Sequence, residues 1–190
     1  LANSRRVGQA LAAAAVEALA SARSGPAVLA AATVACRLPL APLPPADSLR
    51  ELIRAGESRL STLDPQSADW RYCEAKARLA WAREALAVVA SGQAQPEEQL
   101  IRLHGFRVGP ALIVGIPGEP FSECGQAIKA AAPAVTLIAA LADGSEGSFP
   151  TRRACETGHA AAPRDCGRYR PEVGETVAAA GVELVRVLMG

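Results

Sequence analysis

The stretch Ala111-Leu-Ile-Val-Gly-Ile-Pro-Gly-Glu-Pro-Phe121 decides how this chain reads. The apolar run 111–116 suits a buried strand, and Pro117-Gly118 breaks it. The sequence beyond the break predicts a helix over 119–131. Glu119 then falls at the helix start, off the end of a central strand, where α/β sheets carry functional groups. The partial positive charge of a helix N-terminus favours an ionised carboxylate by about 0.3–1 kcal/mol. A carboxylate held on a tight turn is a hard ligand for a divalent metal. It makes a poor phosphate cradle, because its charge repels phosphate and no Gly-Lys-Ser/Thr follows. Simple complementation of the helix dipole is the plainer role for the same residue.

Outward from this stretch, strands are expected over 99–106 and 111–116, joined at Val108-Gly109-Pro110 as an antiparallel hairpin. Buried strands are also expected over 27–37 and 135–141. Helical spacing of apolar residues predicts helices over 2–22, 67–91 and 172–188, with a short one from Asp47 to about Ala55. Ser67 or Asp69 is the expected start of the longest helix, whose inner face is Tyr72, Ala75, Leu79, Ala82, Leu86 and Val89. Four prolines between 39 and 45 require an extended connector. Residues 143–171 show no periodicity and read as a loop. The fold class is therefore mixed α/β, a mixed sheet with covering helices, and the length allows one domain or one half of a larger one.

Composition narrows the function. The 190 residues are 50% hydrophobic and 21% charged, which is globular. Twenty basic and nineteen acidic residues give +1, so no electrostatic footprint for nucleic acid exists. The longest uncharged stretches, 24–36 and 130–142, fall short of the roughly twenty residues a transmembrane helix needs. Five cysteines without a CxxC argue against a zinc module or a disulfide framework, and two histidines leave little for a histidine-rich site. The chain opens on Leu1 with no signal pattern, so the natural start is expected to lie upstream and the compartment is not legible.

Three segments carry a resemblance. Ile116-Pro-Gly-Glu-Pro-Phe-Ser-Glu-Cys-Gly125, then Ala142-Asp-Gly-Ser-Glu-Gly-Ser-Phe-Pro-Thr151, then Tyr169 through Gly174-Glu175 resemble the neutral/alkaline, non-lysosomal ceramidase family. The closer likeness is to its short bacterial branch, and it is specific from about 108 to 188. On this resemblance the chain is a single domain, 1–190, or the C-terminal half of a ceramidase-like catalytic domain. The resemblance implies a zinc-dependent amidohydrolase of sphingolipid metabolism, cleaving the N-acyl amide of ceramide. In the family zinc is held by two histidines, the glutamate of the Pro-Gly-Glu turn and a tyrosine of an Asn-Gly-Tyr loop, and lowers the pKa of bound water towards about 7. Glu119 matches the metal-binding glutamate. Asp143 stands at the asparagine, and Ser145 and Ser148 stand at the loop tyrosines. The family's histidine ligands and active-site serine lie upstream of the matched region, so a missing N-terminal half or a partner chain is expected to complete the site around an N-acyl lipid. The alternative is a degenerate, non-catalytic member serving as a scaffold or subunit, which the lost tyrosines favour.

The other candidates have plain readings beside functional ones. His104, between Leu103 and Phe106 on a strand, reads as an ordinary strand histidine, and His159 lies in the irregular loop. Neither matches a family ligand. Cys124 faces core or site, and Cys155 and Cys166 pair only if their Cα atoms come within about 7 Å. Arg152, Arg153, Arg164, Arg168 and Arg170 are a solvated loop set or an anion-attracting one. Ser145 and Ser148 lack the Gly-x-Ser-x-Gly frame of a serine-hydrolase elbow.

Overall fold

A computed structural model of the chain describes residues 2–25, 27–65, 70–132, 135–158 and 168–190. Four strands form the main sheet: β1 (Leu29–Pro39), β2 (Glu98–Val108), β3 (Ala111–Ile116) and β5 (Val135–Ala140), in the order β1-β2-β3-β5. The β2–β3 pair is the expected hairpin, turning at Gly109, whose φ of 58° is the left-handed conformation a tight turn asks of glycine. β3 and β5 run parallel, with α4 (Ser122–Ala130) as the crossover between them. A separate two-residue ladder joins β4 (Glu119–Pro120) to β6 (Ser148–Phe149), also parallel. The mixed α/β class read from the sequence is what the chain adopts.

Alternation decides which face of the sheet is buried. Val34, Cys36 and Leu38 of β1, Ile101 and Leu103 of β2, and Leu112, Val114 and Ile116 of β3 all point to one side. That side is covered by α6 (Val173–Met189), whose Val177, Leu184 and Leu188 are buried as its helical spacing predicts. The helix lies so close that a Cβ on Gly105 would sit 2.7 Å from Leu188 Cδ1 and 2.9 Å from Leu184 Cγ. Glycine at 105 is thus a packing requirement rather than a turn. The opposite face stays open, with Phe106 and Leu137 about half exposed.

The first three helices stand apart from this core. Leu49 of α2 (Ala46–Ser61) and Ala75, Leu79 and Ala82 of α3 (Trp70–Ser91) are buried in a helical pair, tied at the surface by Arg83 to Glu57 at 2.7 Å. Tyr72, Leu86 and Val89 are half-buried on the same expected face. Ser67 and Asp69, the proposed caps of α3, lie outside the described residues. α1 (Ala2–Ser21) is exposed along its described length, with Val7, Leu11, Val16 and Leu19 all more than half open.

Four expectations need correction. β1 and β5 are not buried on both faces: the face of the sheet away from α6 is open, so alternate residues of both strands are exposed. α2 continues to Ser61 rather than ending near Ala55, because Leu49, Leu52 and Gly56 keep the α3-facing spacing going. The segment 143–171 is not all loop: it contains β6 and α5 (Arg152–Thr157), capped by Thr151, whose side chain accepts from the Ala154 amide at 3.3 Å. Finally, no helix begins at Glu119. The Glu119 and Phe121 amides donate to Gly147 and Phe149 carbonyls, and Pro120 has no amide, so the chain stays extended until Ser122. The acidic residue of the helix's first turn is Glu123.

Candidate functional site

The parallel pairing of β3 with β5 sends both strands' C-terminal ends to the same edge, so the turns that follow meet. Five backbone bonds then stitch the two segments together. Ala142 donates to Ile116, Leu141 to Gly118, Glu146 to Pro117, Glu119 to Gly147 and Phe121 to Phe149, all between 2.9 and 3.2 Å. Phe149 is fully buried beneath the Pro-Gly-Glu turn, and a Cβ on Gly118 would stand 2.5 Å from its Cε2 and 2.7 Å from the Gly147 carbonyl. That glycine is the reason the turn can sit on the ring.

On this platform Ser148 Oγ donates to Glu119 Oε2 at 2.8 Å. The contact is on the surface: Glu119 is exposed and Ser148 half-buried. Of the two loop serines, Ser145 and Ser148, the second is the one brought to Glu119. Ser145 lies exposed further round the loop. Among the described residues no group of three or more His, Cys, Asp or Glu side chains is placed to hold a metal ion. Zinc takes three or four protein ligands, so one carboxylate and one hydroxyl do not complete a site by themselves.

The loop is anchored from its other side by Tyr169. Its hydroxyl lies 2.9 Å from the Glu146 carbonyl and 3.0 Å from Gln99 Oε1, and its ring meets Phe149 edge-on at 5.6 Å. Burial pushes the Tyr169 phenol up to about 12, offset in part by the neighbouring Arg168 guanidinium. Gln99 Nε2 donates to Glu146 Oε2 at 2.5 Å, and Arg168 reaches the same oxygen at 3.3 Å. Arg152 pairs with Glu172 at 3.3 Å and Arg170 donates to the Leu40 carbonyl, so these three arginines are engaged in holding the loop and the start of α6. Arg164, His159 and Cys166 lie outside the described residues. Cys124 faces the core, with Sγ 3.9 Å from the Phe149 carbonyl, and burial pushes its thiol up to about 11.

His104 is more than a bystander on β2. Its Nδ1 lies 3.0 Å from Thr33 Oγ1 and its Nε2 lies 2.9 Å from Asp143 Oδ2. Sequence reasoning missed this because strand register and the course of the turn after β5 determine it, and neither leaves a local pattern. The legible signal is weak: Asp143 in a Gly-rich turn, and Thr33 as the one polar residue in the small apolar run 27–35.

Compared with family models, with curated proteins and with solved structures, the chain finds no match in any of the three.

Proposed function

We propose that this chain supplies the carboxylate arm of a zinc-dependent amidohydrolase of the ceramidase type, acting on an N-acyl lipid amide. Glu119 is the metal ligand in this reading, and the other ligands lie outside the described residues. The observation that carries it is the β4–β6 pairing, which joins the Pro-Gly-Glu turn to the 143–151 loop and sets Ser148 against the Glu119 carboxylate. Ser148 fixes one carboxylate oxygen by a charge-assisted hydrogen bond, so the group is oriented before any ligand arrives. A structural role for a non-catalytic family member is the second reading. It is favoured by the same hydroxyl, which is shorter than a tyrosine's reach and already engaged with Glu119.

The test is a paired measurement on the purified protein and its Glu119→Gln variant: bound zinc by elemental analysis, and fatty acid release from a fluorescent ceramide. Glu119→Gln should remove both zinc and hydrolysis while changing stability by less than about 0.5 kcal/mol, since the site is exposed. Hydrolysis that survives Glu119→Gln refutes the metal-ligand role. Zinc and hydrolysis both absent from the parent protein favour the structural reading.

A further inference from the structure

The open face of the sheet carries a second polar group, independent of Glu119. Thr33 and His104 are directly paired across β1 and β2, and Asp143 reaches the far side of the ring from the turn after β5. An ionised carboxylate only accepts, so Nε2 carries the ring proton and gives it to Asp143. In the neutral ring Nδ1 is then the acceptor, and it lies 3.0 Å from the Thr33 hydroxyl, the donor available to it. The result is a hydroxyl, a base and an orienting carboxylate in line, recognised by roles rather than by sequence order.

The delivery of Asp143 is built into the backbone. Leu141 and Asp143 both have positive φ, 54° and 63°. Left-handed backbone is costly for a branched aliphatic residue, and it persists only where the surroundings enforce it. Here the Leu141 and Ala142 amides are held by the Gly118 and Ile116 carbonyls. Gly115 is paired with His104, and a Cβ there would stand 3.1 Å from the Ala142 Cβ. Glycine at 115 therefore lets the turn fold down onto the sheet beside the imidazole.

The neighbours define what could bind. In the next register row Phe106, Ile113 and Leu137 lie side by side on the same face, an apolar strip leading away from His104. Two residues the other way along β2, Arg102 is exposed on that face, roughly 7 Å distant by strand rise. An apolar strip, a hydroxyl–imidazole pair and a cation in succession suit a fatty acyl ester, with its chain on the strip and its carbonyl at Thr33.

We propose that Thr33, His104 and Asp143 form an acyl-transfer centre for fatty acyl esters. Thr33 Oγ bonds to the carbonyl carbon as its proton passes to His104 Nδ1, and the carbonyl electron pair moves to the oxygen, facing Arg102. Collapse expels the alcohol, which takes the proton from Nδ1 and leaves Thr33 acylated. Water, deprotonated by His104, then releases the fatty acid and restores the hydroxyl. Asp143 is a positioning residue that holds the tautomer.

The experiment uses the purified chain with p-nitrophenyl octanoate and p-nitrophenyl acetate in EDTA. It reads nitrophenolate release and the mass of the acid-quenched protein. The expected result is an octanoyl adduct mapping to Thr33, with the octanoate reacting at least about tenfold faster than the acetate. Thr33→Val should abolish the adduct and Thr33→Ser retain it, with circular dichroism showing both folded. Asp143→Asn should slow acylation by about 10²–10⁴-fold, because an amide can turn its own donor to the ring and reverse the tautomer. No adduct on the parent protein, an adduct elsewhere, or one surviving Thr33→Val overturns the proposal. Activity that appears only without EDTA also overturns it and assigns hydrolysis to a metal site, so the two functional readings fail separately.

Discussion

Gly118→Ala tests the packing that unites the two halves of the candidate site. The added methyl would lie 2.5 and 2.6 Å from Phe149 Cε2 and Cζ and 2.7 Å from the Gly147 carbonyl. Ordinary contact begins near 3.5 Å, so something must move by about an ångström. The ring has little freedom, being fully buried with Tyr169 edge-on against it. The carbonyl accepts from the Glu119 amide, so shifting it opens the β4–β6 ladder. Overpacking of this kind costs about 1–3 kcal/mol. Urea unfolding should show that loss as a lower midpoint at unchanged slope. A double-mutant cycle isolates the cause. Phe149→Leu alone should cost an ordinary core penalty of about 0.5–3 kcal/mol, but it withdraws the atoms that clash. The double variant should therefore be more stable than the sum of the singles predicts, by about 1 kcal/mol or more. Additivity within about 0.5 kcal/mol would refute the argument that the ring is what demands glycine.

Other outcomes follow from burial. Burial pushes the Cys36 and Cys124 thiols up to about 11, so a disulfide reagent at pH 8 should label exposed Cys73 first and reach those two on the timescale of unfolding. Cys36, Cys124 and Tyr169 all have folded values above their unfolded ones, near 9 for the thiols and 10 for the phenol. Their stabilisation is complete below pH 9 and is lost as pH rises towards 11 to 12, so the melting temperature should fall across that window. Tyr169→Phe should remove the phenol's share of the slope above pH 10. Deleting residues 2–21 should leave the urea-derived unfolding free energy within about 0.5 kcal/mol of the parent, because α1 buries none of its large side chains; a larger drop would mean that α1 packs in solution.

The amino-acid sequence by itself determined the local elements. The apolar run 111–116 is a strand, Val177, Ala180, Leu184 and Leu188 form the buried stripe of α6, and Ala75, Leu79 and Ala82 face inward on α3. Each follows from period-2 or period-3.6 spacing, which a strand or helix imposes on its own residues whatever surrounds it. It also ruled out a helix long and apolar enough to cross a membrane, and the described helices agree. The tertiary structure decided the rest. Glu119 reads locally as a helix start, yet the carbonyls of Gly147 and Phe149, far along the chain, hold it in a strand. A backbone amide binds the best acceptor presented to it, and sequence spacing cannot show an acceptor nearly thirty residues away. The same holds for His104, an ordinary strand residue until the register of β1 brings Thr33 to one nitrogen and the turn after β5 brings Asp143 to the other. Local pattern fixes which way a side chain points; only the pairing of strands fixes what it meets.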